Sequence, residues 1–241
     1  MRCLQCVRRE CDNTAIRNKG SDEMKAMFLH GLGQDSSVWK QVLDNIDNHT
    51  DALCPDLSTW LMNKQTCYLS LYQELERQCA KLPKPMDLCG ISLGGILAMQ
   101  YAIEHKDEVH SLVLIATQYT MPKGLLKLQN ILFHFMPRAA FTSMGFQKKD
   151  FIQLCKSMID LDFCDSLAML TCPILIVCGE KDRANKKVAI QLQARIPNAK
   201  LVIIADVGHE VNVDAPIELG KEIKDFYEEV RSKERSDTIC I

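Results

Sequence analysis

No apolar run in this chain approaches the ~18–20 residues needed to span a bilayer. No secretory h-region is present either, because Met1 to Ser21 carries charges throughout. Glu10 and Asp12 also argue against an organelle transit peptide. A strong charge of one sign is missing as well. The 29 basic and 31 acidic residues leave a formal charge of −2, too little to draw in nucleic acid or an anionic membrane surface. Internal repeats and low-complexity stretches are absent, which excludes solenoids and arrays. The expectation is a soluble, cytoplasmic protein with no nucleic acid partner and no membrane span.

Cysteine, by contrast, is plentiful, with 12 residues. Disulfide frameworks belong to short, loop-rich chains, whereas Cys54, Cys89 and Cys178 sit in or at the ends of apolar, strand-like runs. Free cysteine packs as a small hydrophobe, so a reduced protein fits better. Cys3 and Cys6 form a C-x-x-C with Cys11 nearby. A structural zinc site needs a fourth ligand at suitable spacing, and no second pair follows, so neither a metal nor a cofactor is expected. The 241 residues, 47% of them apolar, suit one α/β domain that buries roughly 70–75% of its extended surface.

Residues 1–23 are polar and aperiodic, and read as a disordered leader. From Met24 the texture changes. Short apolar runs that suit strands occur at Ala26–Leu29, Asp51–Leu57, Met86–Cys89, Val109–Ala116, Cys172–Gly179 and Lys200–Ala205. Helical patterns lie between and after them, at Ser36–Ile46, Leu69–Leu82, Leu93–His105, Ala184–Ile196 and Ile217–Arg231. Continuous apolar strands alternating with helices predict a parallel sheet buried on both faces in a doubly wound α/β domain. Ligands then collect outside the carboxyl ends of the strands. The stretch after Gln118 is too long for an αβ loop, usually ~2–6 residues, and too apolar for a linker. Leu125 to Met136 and Phe151 to Ile159 suggest helices of a small inserted cap. The expected organisation is a leader over 1–23, core over 24–117, cap over 118–169, core over 170–232 and a tail over 233–241.

Gly90-Ile91-Ser92-Leu93-Gly94 matches G-x-S-x-G, with a predicted strand before it and a predicted helix after it. In that setting the serine occupies a strained strand-to-helix turn that lifts its hydroxyl above the sheet. Gly90 and Gly94 let neighbouring backbone pass close by. Taken alone, the pentapeptide is also compatible with a tight βα turn that holds an incidental serine.

With this motif the chain resembles the α/β-hydrolase superfamily, from about Met24 to Phe226. It is most similar to small, short-capped esterase-like members that carry HG-x-G and then a helix ending in Trp, here His30-Gly31-Leu32-Gly33 to Trp39. The resemblance implies a triad in the order serine, acid, histidine. Asp182, in Gly179-Glu180-Lys181-Asp182, matches the acid, and His209, in Val207-Gly208-His209-Glu210, matches the base. It further implies an oxyanion hole made by the backbone N–H groups of Leu32 and Leu93, with His30 in a structural role in the oxyanion loop beside Gly31. Glu180 and Asp206 are nearby carboxylates that do not hold the acid position. Among the other histidines, His49, His105 and His110 read as solvated and His134 falls in the cap.

The implied activity is hydrolysis of a carboxylic ester or thioester with a small to medium apolar acyl group, through an acyl-enzyme. Acyl transfer or lyase chemistry on the same triad remains an alternative, as does a small-molecule receptor that turns over slowly. Dehalogenase chemistry is disfavoured, since it places Asp where this chain has Ser92. Two features depart from the family. The usual antiparallel hairpin before the first strand is missing, so a sheet of about six strands leaves an edge for the leader or a homodimer partner to cover, or one that stays short; alternatively, the true start is Met24. The turn after Asp56-Leu57 has Ser58-Thr59-Trp60 in place of glycines.

Overall fold

The computed structural model describes residues 25–46, 52–121, 147–196 and 198–239. The leader with Cys3, Cys6 and Cys11, the 125–136 helix with His134, and His49 lie outside the described residues.

Five strands form one parallel sheet in the order β1-β2-β3-β4-β5, namely β1 (Ala26–Leu29), β2 (Met86–Ile91), β3 (Val109–Ile115), β4 (Ile174–Gly179) and β5 (Ala199–Ile204). Alternate residues serve opposite faces. Met27, Leu88, Leu112 and Ile176 join one apolar cluster. Phe28, Cys89, Val113 and Val177 join the other. With both sets of alternate residues buried, β1 to β4 read as mainly apolar runs, interrupted by Asp87 in β2 and by His110 and Ser111 in β3. On the first face lie α3 (Tyr68–Cys79), α4 (Leu93–Glu104) and α6 (Arg183–Arg195). The second is covered by α1 (Lys40–Leu43) and α8 (Pro216–Ile239). The remaining helices are α2 (Leu57–Trp60), α5 (Lys148–Ser157) and α7 (Val211–Asp214). The α5 segment buries Phe151, Ile152, Leu154 and Cys155, and its Ser157 hydroxyl accepts the Tyr68 N–H that opens α3.

The strand expected over Asp51–Leu57 is reduced to one parallel bridge between Leu53 and Met27. Leu53 exchanges two 2.8 Å hydrogen bonds with the strand beside it, donating to Ala26 O and accepting from Phe28 N–H. Pro55 then removes a donor and Leu57 opens α2, so pairing cannot continue, and the six expected strands become five and a bridge. Ser58-Thr59-Trp60, in place of the glycine turn, lies within α2. The last helix runs on to Ile239, beyond the expected end at Arg231. Its later charges are helical pairs, with Lys233 Nζ 2.9 Å from Glu229 Oε1 one turn away.

His110, expected to be solvated, sits in β3 with a side chain only 8% exposed. Its Nδ1 lies 2.7 Å from the buried Asp87 carboxylate and its Nε2 lies 2.7 Å from Glu234 of α8. Ser111 donates to the same Asp87 oxygen at 2.6 Å. His105 is likewise half-buried, stacked on Tyr101 and paired with Glu76. Two acceptor-only partners require both His110 nitrogens to donate. Burial pushes the imidazolium's pKa down, but Asp87 and Glu234 outweigh this and raise it. A raised folded pKa contributes stability that is complete below the unfolded value, near ~6.5, and is lost as pH rises through the folded value. His110→Gln is therefore expected to destabilise the protein most below pH ~6.5, by about 1–2 kcal/mol, with the gap narrowing under alkaline conditions. Thermal melts of both proteins across pH check this, and a gap independent of pH would contradict it.

Candidate active site

Ser92 follows β2 directly and is the N-cap of α4, with φ 53° and ψ −113°. A non-glycine residue there stores strain of about 1–3 kcal/mol. Backbone bonds on both sides hold it, since Ser92 N–H donates to Ile115 O at 2.9 Å and Ile96 N–H donates to Ser92 O at 3.0 Å. The first of these extends β2 onto β3, and the second opens α4. The Ser92 hydroxyl makes no capping bond to α4. Glycines make the turn feasible. A Cβ on Gly94 would lie 2.1 Å from Leu29 O, and one on Gly90 would lie 2.3 Å from Gly94 O.

The loop after β1 carries His30, Gly31 and Leu32. Buried His30 donates from Nδ1 to Gly31 O at 2.8 Å and accepts the Leu57 N–H on Nε2 at 3.0 Å. These partners require the neutral Nδ1–H tautomer. Burial also depresses the imidazole's basicity, against the opposing pull of Gly31 O and Asp56. His30 thus fastens the loop to the start of α2, a structural role. Gln34 fastens its other end. It accepts the Gly31 N–H on Oε1 at 3.0 Å, and its Nε2 donates to Glu210 Oε1 at 3.1 Å and Asn212 Oδ1 at 3.3 Å. The His30–Gln34 loop is therefore tied to the loop that carries His209. Leu32 is half-buried against the apolar cluster that includes Leu93, the first residue of α4.

Asp182 and His209 meet. Asp182 is the N-cap of α6, and its side chain accepts the Asn185 backbone N–H. His209 Nδ1 lies 2.6 Å from Asp182 Oδ2, so it donates to the carboxylate and leaves Nε2 as an acceptor. The Asp182 side chain is 9% exposed and that of His209 is 44% exposed. Burial raises the pKa of the Asp182 carboxyl, but hydrogen bonds from His209 and Asn185 outweigh it and leave the group below its ordinary value. Asp182 is therefore ionised at neutral pH. Backbone proximity makes the meeting possible, since a Cβ on Gly179 would lie 2.1 Å from Gly208 O, and Lys181 N–H donates to Val207 O at 2.8 Å.

The rival carboxylates are occupied elsewhere. Glu180 accepts the Asp206 N–H, and Asp206 pairs with Lys181. Gln34 and Asn185 had no role in the sequence reading. Gln34 sits one residue beyond the HG-x-G motif and Asn185 three beyond the acid, but neither spacing carries a periodic signal. Among the described residues, Glu76, Glu104 and His105 bring possible ligand atoms within 4.8 Å of one another. They lie at the far ends of α3 and α4, and their own pairing with one another, Tyr72 and Gln100 accounts for them.

Residues 26–219 match the model of the Alpha/beta hydrolase family. The chain belongs to that family. The hydrolase is 24% identical to the pimeloyl-[acyl-carrier protein] methyl ester esterase of Yersinia pseudotuberculosis, over 87% of its own length and 95% of that protein's. Among solved structures it resembles an esterase of Thermogutta terrifontis, with a TM-score of 0.71, 19% identity, and 86% and 90% of the two chains covered. MenH of S. aureus gives a TM-score of 0.69 at 20% identity, covering 86% and 94%. At those identities the structural likeness speaks for the fold, which is that of an α/β-hydrolase. No helix among the described residues of the hydrolase is long and apolar enough to cross a membrane.

Proposed function

We propose that the hydrolase cleaves a carboxylic ester or thioester with a small to medium apolar acyl group, through an acyl-enzyme on Ser92. One observation carries this reading. The 2.6 Å bond from His209 Nδ1 to an ionised Asp182 sets the tautomer in which Nε2 can take a proton. In the first step Ser92 Oγ attacks the carbonyl carbon while His209 Nε2 takes its proton. The Leu32 and Leu93 N–H groups receive the oxyanion. Collapse expels the alcohol or thiol, which leaves with the proton held by His209. Water then attacks the acyl-enzyme, again losing its proton to His209, and collapse releases the acid as that proton returns to Ser92 Oγ.

The ester-cleaving activity named for the Yersinia relative supports the bond type. The apolar residues of the expected cap, from Leu125 to Met136 and from Phe151 to Ile159, support the acyl class. The described cysteines are all free, which fits a reducing, cytoplasmic setting.

Labelling with a fluorophosphonate tests this reading. The expected result is one adduct per chain, on the peptide that carries Ser92, together with turnover of chromogenic esters that favours short and medium acyl chains. Label on another residue would remove Ser92 as nucleophile. Tight ligand binding without turnover would make the protein a receptor.

A further inference from the structure

Asn185 takes no part in the steps above, yet it touches both members of the acid–base pair. We propose that Asn185 is a positioning residue that fixes the rotation of the Asp182 carboxylate against His209 and is itself held by Gln118, which follows β3. This inference rests on the Asp182–His209 reading of the site.

The donor count shows how the carboxylate is held. Asp182 Oδ1 accepts the Asn185 backbone N–H at 3.2 Å, and Oδ2 accepts the Asn185 side-chain Nδ2 at 2.7 Å beside the His209 Nδ1 bond. One residue therefore grips both oxygens and fixes the carboxylate plane. The amide has a single consistent orientation. An ionised carboxylate only accepts, so the nitrogen must face Asp182 and Oδ1 must face Gln118, whose Nε2 donates to it at 2.5 Å. The neighbouring Tyr119 hydroxyl bonds Gln191 of the same helix at 3.2 Å, so this segment docks on α6 at two points.

Helix capping alone does not explain the contact. A residue three beyond the N-cap normally reaches back to the N-cap's own N–H. Here the Asp182 N–H is already bound to Gly179 O, and the Asn185 side chain goes to the carboxylate instead.

The contact also has an electrostatic consequence. Asn185 Nδ2 lies 3.2 Å from His209 Nδ1. Its hydrogens compete with the His209 N–H for Oδ2, so replacing Asn185 leaves that oxygen to His209 alone. Around the pair stand Glu210 next to His209, Lys181 with Asp206, Lys186 on α6 and Cys178 at the end of β4. Burial pushes the Cys178 thiol up to about 12, so it stays neutral, and none of these groups changes when Asn185 is replaced.

The test compares Asn185→Leu, Asn185→Asp and Gln118→Leu with the wild type by pH-rate profiles on a chromogenic ester. Asn185→Leu is expected to lower kcat about tenfold with KM little changed, and to move the acidic limb of kcat/KM up by roughly half a pH unit. Gln118→Leu should shift both in the same direction, by less. Asn185→Asp separates positioning from mere structure. A carboxylate in the first turn of a helix favours the fold but repels Asp182 at close range, so its melting temperature should stay near that of Asn185→Leu, yet it lacks the donors and adds negative charge. Its acidic limb should move further than that of Asn185→Leu. If the wild type labels at Ser92 and turns over, but the Asn185 variants keep both kcat and limb position, the inference fails and the proposed function stands. A wild type that does not label at Ser92 overturns both.

Discussion

Ser92→Ala is expected to lower kcat by roughly 10⁶-fold, with a melting temperature within a degree or two of the wild type. The two halves of this result have separate causes. Removing Oγ deletes the proposed nucleophile, so the remaining rate would come from the proposed oxyanion donors, the Leu32 and Leu93 N–H groups, acting on an attacking water, about 10³–10⁴ over the uncatalysed reaction. The fold loses little, because the hydroxyl makes no capping bond and the backbone bonds to Ile115 and from Ile96 do not involve it. Alanine also accepts a φ of 53° about as reluctantly as serine. His209→Ala should fall to nearly the same floor, since residues that act as a unit do not contribute additively. Steady-state kinetics with parallel melts check the result. More than a few per cent of residual kcat in Ser92→Ala would end the serine mechanism.

A large effect on the fold is expected from Gly94→Ala. A methyl group there would meet Leu29 O at 2.1 Å, Leu29 C at 2.5 Å and His30 O at 2.7 Å. All three are backbone atoms, so no rotamer change relieves the contact. Either α4 slides along the sheet or the end of β1 moves away, at a cost of about 2–4 kcal/mol. In a chain of this size that is roughly 5–15 °C in Tm. The displaced backbone leads directly into the His30–Gln34 loop, so fluorophosphonate labelling should also slow in whatever fraction remains folded. Gly208→Ala is the control. Its added Cβ would meet nothing closer than Asp214 Oδ2 at 3.7 Å, and it should melt near the wild type. Equal melting temperatures for the two variants would mean that β1 and α4 are less tightly apposed than described.

The strands β1 to β4 were legible because burial on both faces leaves little room for polar residues, and a mainly apolar run is the direct trace of that constraint. The contact between Asp182 and His209 has a different trace. Each follows a strand, the resemblance pairs them as acid and base, and the structure places His209 Nδ1 2.6 Å from Asp182 Oδ2; their catalytic roles remain part of the proposal. Side-chain pairs between distant segments were not legible. Asp87 did carry a signal, as a lone charge inside an apolar strand that must have a partner, but nothing in the sequence said that the partner was His110. Gln34 and Asn185 act through single contacts across the fold, which leave no period to detect. The Asp51–Leu57 run shows the converse failure. Its composition suits a strand, but Pro55 and the start of α2 leave only Leu53 paired, with a side chain 41% exposed. The charged end of α8 reads as a tail unless its one-turn ion pairs and its tie to His110 are known.

The strand order has a consequence for how the molecule is made. Because each new strand adds beside the previous one, a nascent chain can extend its sheet in the order in which it leaves the ribosome. One face cannot be finished that way. Phe28, Trp39 and Val113 share their cluster with Leu219, Ile223, Phe226 and Val230 of α8, which is synthesised only after all five strands. Until they arrive, a broad greasy surface faces solvent, and that interval is when the growing polypeptide most needs a chaperone.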